Sequence, residues 1–456
     1  MDLIQPITKY IIEPVLARRE GSDHLRELAT LEESQYYSRE RIQEIQLERL
    51  RRLLVHARDH CPFYAERFAS AGFDPARLTS LDDLKVVPPI TKSDIQRHSA
   101  GMIADNYAKE TLVTNQTGGS TGAPLKFYHN RERLFSRKAT TYRHDRWAGW
   151  DIGRKMGVLW GNRVDFSGGV STREKLRKAL HDRRLILDTS NITADLFADF
   201  YKALKEYRPT VYLAYANAMF LFARYLKEKG HRDYHRPKGI ITSAELLTDE
   251  QRVLIEEVFG CPVFNRYGCR ETSLVASECS EHRGLHQAAE HLLMQIEHPT
   301  SNPEAPGKII LTDLSNFGQP LIRYRIEDMG VWGEESCPCG RGLPLMKLVG
   351  GRVTDFLVTP EGKVISGAAM TIYFVASVPG VAQAQLVQKT RNNLLLRVIR
   401  GDNFGDASKQ MIETKVREFF GPSMTWDLEF VDSLPTTASG KHRFSISEID
   451  PMEYLV

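Results

Sequence analysis

A run of small residues in the first third of the chain has the composition of a phosphate-binding loop. It consists of six consecutive hydroxyl or glycine residues, Thr117, Gly118, Gly119, Ser120, Thr121 and Gly122. Such a loop combines little side-chain bulk with many free backbone N–H groups, so it can wrap a phosphate chain, and Lys126 can add a positive charge. The spacing differs from that of a P-loop, G-x-x-x-x-G-K-[ST]. Taken alone, the run is equally compatible with a flexible surface turn.

Two carboxylates follow short predicted strands further along the chain. Glu271 comes after a Tyr-Gly turn that begins at Tyr267, where a carboxylate can hold a magnesium ion that bridges phosphates. Asp328 ends the segment 320–328 and suits a bidentate grip on the two hydroxyls of a ribose. The plainer alternatives are an acid favoured by a helix N-terminus for Glu271, and a surface ion pair with Arg323 or Arg325 for Asp328.

A lysine near the end of the chain could act on the same phosphates. Lys441 follows Ser439-Gly440 in a loop beyond the last predicted strand. An ammonium on a mobile domain can be delivered to a developing pentavalent phosphorus and then withdrawn. Without further context, a lone lysine in such a loop is solvated surface.

Three cysteines and a histidine provide a possible metal site. Cys279 and His286 are followed by the C-x-C pair Cys337 and Cys339. Thiolate and imidazole are the ligands that zinc prefers in closed, structural sites, and six cysteines in so long a chain are not a disulfide framework. His282 could replace His286, and Cys269 is a weaker candidate ligand.

The elements that carry these residues follow an α/β pattern. Short apolar runs alternate with amphipathic segments through the middle of the chain, as in KGIITSAE, DEQRVLIEEVFG and CPVFNRYG. Residues 24–57 are helix-forming throughout. The last hundred residues predict the β-α-β-β-α-β order of a small ferredoxin-like domain, in which VISG is the first strand and 368–377 the first helix. Gly350 and Gly351 permit a hinge before it.

Composition and charge exclude several classes of protein. The 456 residues contain 61 Lys+Arg against 58 Asp+Glu, a net charge of +3, so no nucleic-acid partner is expected. Polar residues and prolines interrupt the apolar start of the chain, which predicts neither a signal peptide nor a membrane span. For residues 1–20, docking on the protein is favoured over contact with a membrane surface. We expect a cytoplasmic protein without a membrane partner.

The order of the motifs resembles a known family. The glycine loop, the Tyr267–Glu271 segment, PLIRYRIED, the Gly351-Arg352-Val353-Thr354-Asp355 segment and PTTASGK together resemble the adenylate-forming superfamily of acyl-CoA synthetases. The PLIRYR segment and the later CxCGR are typical of its phenylacetate–CoA ligase family. The resemblance extends over about residues 30–445.

The resemblance implies an architecture and a set of site residues. It implies an α/β fold with a large multi-layer adenylate-forming domain at 1–349, a hinge at 350–355 with Asp355 as its pivot, and a small mobile α+β domain at 356–456. The implied catalytic residues are Lys441, Glu271 and Thr121, with Glu271 on magnesium. The implied nucleotide-binding residues are the glycine loop 117–122, Lys126, Ser243, Ala244, Glu245, Asn265, Arg266, Tyr267, Gly268, Asp328 and Arg352. The family also raises the expectation of a structural zinc ion on Cys279, His286, Cys337 and Cys339.

The implied activity is ATP-dependent, AMP-forming activation of a carboxylic acid, aromatic in this family, through an acyl-adenylate that is passed to coenzyme A. An amine acceptor is one alternative. Another is a relative that binds nucleotide without turnover, for example in polysaccharide biosynthesis, although Glu271, Asp328 and Lys441 together argue against it. Arg270 and Glu327 stand where the family has smaller residues and could recharge the acyl pocket, so the acid stays open. Family members are often dimers, so a homodimer is an expectation.

Overall fold

The computed structural model describes most of the chain, in two sheets flanked by helices. The described residues are 2–116, 125–161, 177–189, 192–298, 307–350, 353–354, 356–367, 370, 378–401, 403–434, 443–449 and 451–454. The α-helices are Ile4–Ile7 (α1), Glu13–Glu20 (α2), His24–Ser34 (α3), Arg39–His60 (α4), Pro62–Ser70 (α5), Lys92–Met102 (α6), Arg131–Trp147 (α7), Ala194–Tyr207 (α8), Ala216–Glu228 (α9), Asp249–Phe259 (α10) and Asp406–Phe420 (α11). Among the described helices, none combines the length and hydropathy that a bilayer crossing requires.

The strands form one large sheet, one small sheet and two hairpins. They are Val113–Gln116 (β1), Lys126–His129 (β2), Met156–Trp160 (β3), Arg184–Asp188 (β4), Val211–Tyr215 (β5), Gly239–Ser243 (β6), Val263–Cys269 (β7), Ser273–Glu278 (β8), Leu285–Gln287 (β9), Leu292–Glu297 (β10), Gly307–Asp313 (β11), Tyr324–Trp332 (β12), Leu345–Gly350 (β13), Val353–Thr354 (β14), Phe356–Val358 (β15), Val364–Ser366 (β16), Val381–Thr390 (β17), Asn393–Arg400 (β18), Thr425–Phe430 (β19) and Arg443–Ser447 (β20).

The large sheet has a parallel half and an antiparallel half that meet at β7. Its eleven strands run in the order β10-β11-β12-β13-β9-β8-β7-β6-β5-β3-β4. Strands β3 to β7 pair in parallel, and the helices α8, α9 and α10 connect β4 to β5, β5 to β6 and β6 to β7. The apolar runs seen in the sequence are therefore buried parallel strands, which confirms the predicted α/β class.

The antiparallel half curves back on itself. Tyr267 on β7 bonds to Asp328 on β12, although three strands separate β7 from β12 in the sheet order. Apolar side chains from β7, β8, β10, β11 and β13 meet in one buried cluster inside the curve, which includes Val275, Leu311 and Met346. This curvature brings the ends of β7 and β12 close together.

The helical segment predicted over 24–57 is divided into two helices. Helix α3 ends at Ser34 and α4 begins at Arg39, after Ser38 accepts a bond from the N–H of Arg41 at 3.3 Å. The side-chain oxygen of Gln35, between the helices, accepts bonds from Trp147 and Arg341 at 3.0 and 2.9 Å. These tertiary bonds and the serine cap favour a turn where local propensity alone favours helix.

The small C-terminal sheet has the order β14-β20-β17-β18-β19, with α11 between β18 and β19. Strands β17, β18 and β19 and helix α11 supply the final β-β-α-β of the order predicted for the last hundred residues. The strand predicted at VISG, β16, instead forms a hairpin with β15, and β20 takes a place in the sheet beside β17. The helix predicted at 368–377 lies almost wholly outside the described residues.

The hairpin β15–β16 contributes side chains to both domains. Phe356, Val358 and Val364 join the core around the parallel strands, whereas Leu357 and Ile365 join the core of the small domain. This alternation is that of strands buried on both faces. The domain boundary predicted near residue 355 stays a prediction, and the first strands beyond it contact both cores.

Helix α7 runs through the large domain with charged residues on its buried side. Arg143 is fully buried and bonds to both oxygens of Glu290, at 2.5 and 3.0 Å. Ser34 also donates to Glu290, at 2.7 Å. Burial raises the pKa of Glu290, but the Arg143 guanidinium outweighs burial and holds that pKa below its usual value. This pair connects α3, α7 and the turn before β10.

We expect Arg143→Met to lower the free energy of unfolding by about 3–5 kcal/mol, because Glu290 is left buried without its cation. The unpaired carboxyl would take up a proton as the pH falls, whereas wild type, in which Arg143 lowers the pKa of Glu290, keeps its ion pair over this range. The deficit should therefore be smaller at about pH 5 than at about pH 8. Denaturant unfolding at both pH values measures it.

Two further variants serve as controls for this ion pair. Arg143→Met/Glu290→Met removes both charges and should recover much of the lost stability. Arg26→Met breaks an exposed pair with Asp23 and should cost less than about 1 kcal/mol. A deficit in Arg143→Met no larger than that of Arg26→Met would contradict the role of the buried pair.

Candidate functional site

Several of the predicted site residues fall outside the described part of the chain. They are Thr117, Gly118, Gly119, Ser120, Thr121, Gly122, Arg352, Asp355 and Lys441. The flanks of the glycine loop are described, and Gln116 pairs with Lys126 at the loop end of the antiparallel hairpin β1–β2. In the sequence, Lys441 stands two residues before Arg443, the first residue of β20. The roles of these residues stay predictions.

Glu271 lies in the turn between β7 and β8 and is oriented by a phenol. Tyr324, the first residue of β12, donates its hydroxyl to Oε1 of Glu271 at 2.8 Å. The Glu271 side chain is buried apart from a small exposed fraction. The carboxylate is therefore held in one direction before any ligand arrives.

The backbone of the same turn is held by His129, the last residue of β2, and by Arg133 in the first turn of α7. Arg133 donates to the carbonyl of Thr272 at 2.5 Å, and Nε2 of His129 lies 3.0 Å from the carbonyl of Glu271. Burial, together with the nearby Arg133, lowers the pKa of His129 to about 4. The imidazole is neutral at neutral pH, and a proton on Nε2 would be donated to that carbonyl.

Tyr267 and Asp328 meet across the curved sheet. The Tyr267 hydroxyl donates to Oδ2 of Asp328 at 2.8 Å. Burial and then the Asp328 charge raise the pKa of Tyr267 well above its usual value, so the phenol stays protonated and remains a donor. The next residue, Gly268, has to be a glycine, because a Cβ there would lie 2.5 Å from the carbonyl oxygen of Ser273. Two predicted nucleotide-binding residues, 61 positions apart, are thus in direct contact.

The other predicted nucleotide-binding residues of this region lie on β6 and β7 or directly after β6. Ser243 ends β6, and Ala244 follows it with a φ of 68°. Glu245 accepts a bond from the N–H of Asn217 at 2.9 Å, next to the first turn of α9. The guanidinium of Arg266 is paired with Asp145 of α7, and the N–H of Asn265 donates to Glu278 at 2.8 Å. Ligands of open α/β sheets bind at the carboxyl ends of the parallel strands.

Sequence reasoning missed the residues that hold the predicted ones. Tyr324, His129, Arg133 and Asp145 each bond to a predicted residue or its turn. A signal existed for Tyr324, since Tyr324 and Asp328 are four positions apart on one strand, a spacing that places two side chains on the same face. No sequence signal distinguished the residues of α7, whose charges resemble those of a solvated helix.

The three cysteines and the histidine of the predicted zinc site come together. The ligand atoms of Cys279, His286, Cys337 and Cys339 all lie within 4.8 Å of one another. Cys279 follows β8, His286 is the middle residue of β9, and the other two cysteines lie in the loop between β12 and β13. Sγ of Cys279 is 3.7 Å from Sγ of Cys337, and Sγ of Cys339 is 3.3 Å from Nε2 of His286. Tetrahedral zinc with Zn–S bonds of about 2.3 Å separates two sulfurs by roughly 3.8 Å.

The orientation of His286 suits a metal ligand. Its Nδ1 lies 3.1 Å from the carbonyl of Leu343, and burial lowers its pKa to about 4. A neutral ring that donates from Nδ1 leaves the Nε2 lone pair facing the thiols. The alternative ligands lie elsewhere, because His282 bonds to Glu278 at 3.2 Å and Cys269 to Thr272 at 3.1 Å.

Known proteins resemble this chain along most of its length. The model of the CapK C-terminal domain matches residues 357–448. Protein CapK of Staphylococcus aureus is 26% identical over 428 residues, which cover 89% of each chain. Phenylacetate-coenzyme A ligase of Thermus thermophilus is 26% identical over 334 residues, 70% of this chain and 72% of the relative. The corresponding ligase of Pseudomonas putida is 28% identical over 316 residues, 67% and 70% of the two chains.

Solved structures agree in fold. A 2-hydroxyisobutyryl-CoA ligase in complex with 2-HIB-AMP and CoA, in the thioesterification state, superimposes with a TM-score of 0.62 at 20% identity over 92% of both chains. The same ligase in the postadenylation state with 2-HIB-AMP gives 0.58 over 89% of both chains. The chain thus has the adenylate-forming fold of the CoA ligases, and the predicted resemblance to the phenylacetate–CoA ligase family is confirmed.

Proposed function

We propose that this protein activates a carboxylic acid with ATP and transfers the acyl group to coenzyme A. The observation that carries the proposal is the pair of phenol–carboxylate hydrogen bonds, from Tyr324 to Glu271 and from Tyr267 to Asp328. They orient two carboxylates at one edge of the sheet, where nucleotides bind in α/β folds. Both acids occupy the motif positions that the resemblance assigns to magnesium and ribose.

The first half-reaction is adenylation. An oxygen of the substrate carboxylate attacks the α-phosphorus of ATP, the bond to pyrophosphate breaks, and an acyl-adenylate forms. Asp328 and Arg352 hold the ribose hydroxyls, and the glycine loop 117–122 binds the β- and γ-phosphates through its N–H groups. Lys441 neutralises the charge that develops on the acyl and phosphate oxygens.

Magnesium fits the site through Glu271. A hard oxygen ligand whose direction is fixed by Tyr324 would suit Mg²⁺, which prefers carboxylate oxygens to softer ligands. When bound, the ion neutralises phosphate charge. Glu271 would hold it, and the bonds from Arg133 and His129 to the turn would keep the backbone of that ligand in place.

The second half-reaction transfers the acyl group. The small domain rotates about Asp355 and withdraws Lys441, because one closed site cannot accommodate both the lysine and an incoming thiol. The thiol of coenzyme A loses its proton, its sulfur attacks the acyl carbonyl carbon, and AMP leaves. An aromatic acid is the proposed substrate, in keeping with the phenylacetate-coenzyme A ligases among the relatives.

A structural zinc ion on Cys279, His286, Cys337 and Cys339 is a separate part of the proposal. The separations of the sulfur and nitrogen atoms support it, because they match those around a tetrahedral ion, and 3.7 Å is far from a disulfide bond. With four protein ligands such an ion has no open position for chemistry. It would join the loop after β8 to the loop before β13.

Pyrophosphate exchange over a panel of aryl and aliphatic acids tests the adenylation half-reaction. We expect exchange with at least one acid, and Lys441→Ala should reduce it by about 10²-fold or more while ATP binding is nearly unchanged. Lys409→Ala, at an exposed lysine of α11 in the same domain, is the matched control and should behave as wild type.

Three outcomes would contradict parts of the proposal. Exchange with none of the acids would refute the ligase activity and favour a relative that binds nucleotide without turnover. Full activity in Lys441→Ala would show that the motif assignment is wrong. If exchange occurs but coenzyme A does not consume the adenylate, an amine acceptor replaces coenzyme A.

Tyr324→Phe removes the hydroxyl that orients Glu271 and leaves the ring. We expect the magnesium concentration for half-maximal exchange to rise about 10–100-fold, the usual effect of losing an outer-shell partner of a ligand. Tyr267→Phe deletes the other phenol and is the matched control, which should raise the KM for ATP instead. An unchanged magnesium dependence in Tyr324→Phe would mean that Glu271 is not the magnesium ligand.

Metal analysis of the purified protein tests the zinc site, with about one equivalent expected. Cys337→Ser should lose the ion and lower the melting temperature, because metal binding contributes directly to the stability of a closed site. His282→Ala, next to the site but bonded to Glu278, should keep the zinc. Less than about half an equivalent in wild type would count against a resident zinc ion.

A further inference from the structure

The helical segment at the start of the chain buries polar residues and exposes apolar ones, the reverse of an ordinary surface helix. It runs through α1, a π-helical segment at Thr8–Ile12, and α2. Its buried residues are Thr8, Glu13 and Ala17. Six of its large apolar side chains are exposed, with relative exposures of 37–70%: Leu3, Ile4, Ile7, Tyr10, Ile11 and Val15. A surface helix normally directs its apolar stripe to the core.

Polar contacts fix this orientation. The Glu13 carboxylate is fully buried and bonds to His24 at 2.6 Å, to Lys138 at 2.5 Å and to His181. Thr8 donates to the carbonyl of Leu180 at 2.6 Å. Turning the apolar stripe inward would break these ion pairs and leave buried charges unpaired, at a cost of several kcal/mol. The stripe therefore faces outward in the folded protein.

The π-helical segment keeps the stripe straight. Leu3, Ile7, Ile11 and Val15 recur every four residues, which in a continuous α-helix would drift by about 40° at each step. The wider turn at Thr8–Ile12 offsets part of that drift. The result is one apolar line about 18 Å long, from Leu3 to Val15, on a single convex helix.

Cationic side chains accompany this line. Arg18 and Arg19 are exposed in the last turn of α2, and within the described residues neither forms an ion pair. The nearby acids are neutralised within the protein, because Asp2 pairs with Arg183 at 2.9 Å and Asp151 with Lys9 at 2.6 Å. Glu20 is the exposed acid of the segment. Exposed Lys178 begins the segment Lys178–Asp182, against which Thr8–Ile12 packs.

We propose that this N-terminal face binds a lipid surface that carries negative charge. An exposed apolar line with an aromatic residue and flanking arginines has the chemistry of a helix that lies in the bilayer interface. A second copy of the chain is a poorer occupant. A stable dimer buries about 800 Å² per partner, whereas a line of about 18 by 10 Å on one convex helix supplies only a fraction of that.

The exposed face changes the expectation for residues 1–20. The sequence favoured docking of this segment on the protein, and it does dock, but through its polar side. Docking therefore leaves the apolar side available. The same helix can dock on the protein through its polar side and contact a lipid surface through its apolar side. The face lies outside the candidate nucleotide site, so the proposal stands independently of the proposed activity.

Vesicle co-sedimentation of the full chain tests the proposal. We expect wild type to bind vesicles of phosphatidylcholine containing phosphatidylglycerol, and to bind pure phosphatidylcholine vesicles much more weakly. Ile7→Glu/Ile11→Glu should lower the partition coefficient about tenfold or more. Arg18→Gln/Arg19→Gln should lower it roughly fivefold for each arginine, and added salt should act in the same direction.

Matched controls distinguish binding through the proposed face from non-specific binding to vesicles. Val253→Glu changes an exposed apolar residue on α10, elsewhere on the surface, and should bind vesicles as wild type does. Melting temperatures close to wild type would show that the variants fold. Absence of wild-type binding, or equal binding by Ile7→Glu/Ile11→Glu, would overturn the proposal. A dimer that this variant dissociates, without vesicle binding, would assign the face to a second copy instead.

Discussion

The buried ion pairs of helix α7 are the constraint on which the rest of the large domain depends. Three elements are held by them, through the pairs Arg133–Asp313, Arg143–Glu290 and Asp145–Arg266. A buried guanidinium without its carboxylate costs several kcal/mol, so each pair permits only one placement of its strand relative to the helix. The partners lie at the end of β11, before β10 and on β7. One helix thereby fixes both halves of the large sheet against each other.

The same ion pairs also position the candidate site. Arg133 bonds to Asp313 and also to the carbonyl of Thr272, so the turn that carries Glu271 is fixed by the same guanidinium that anchors β11. Strand β12 is the antiparallel neighbour of β11 and supplies Tyr324 and Asp328. The carboxylates are thus oriented by the protein before nucleotide binds, which reduces the cost of ordering them during binding.

The parts of this structure that could be predicted are those with a local signal. The parallel strands were visible as apolar runs, the motif residues as ordered segments, and the four metal-type ligands by residue type. Helix α7 gave no such signal, because Arg133, Arg143 and Asp145 have the pattern of a solvated helix and their partners are distant in sequence. The break after α3 was hidden for a similar reason, since bonds from Trp147 and Arg341 to Gln35 override helix propensity.

The hairpin β15–β16 restricts how a small domain could rotate. Val364 exchanges two backbone hydrogen bonds of 2.6 Å with Ile192, and Gln388 on β17 bonds to both backbone groups of Val358, at 2.7 and 2.5 Å. A rotation must break one of these attachments. The attachment to the small domain includes the side chains of Leu357 and Ile365 in its core, and the chain leaves the hairpin directly into that domain. The hairpin is also attached to the large domain, through the bonds to Ile192 and through the side chains of Phe356, Val358 and Val364 in its core, but the chain connects the two only through the segment before Phe356. We infer that the hairpin moves with the small domain and separates from this core and from Ile192. The pivot is then the segment just before Phe356, where the resemblance implies it.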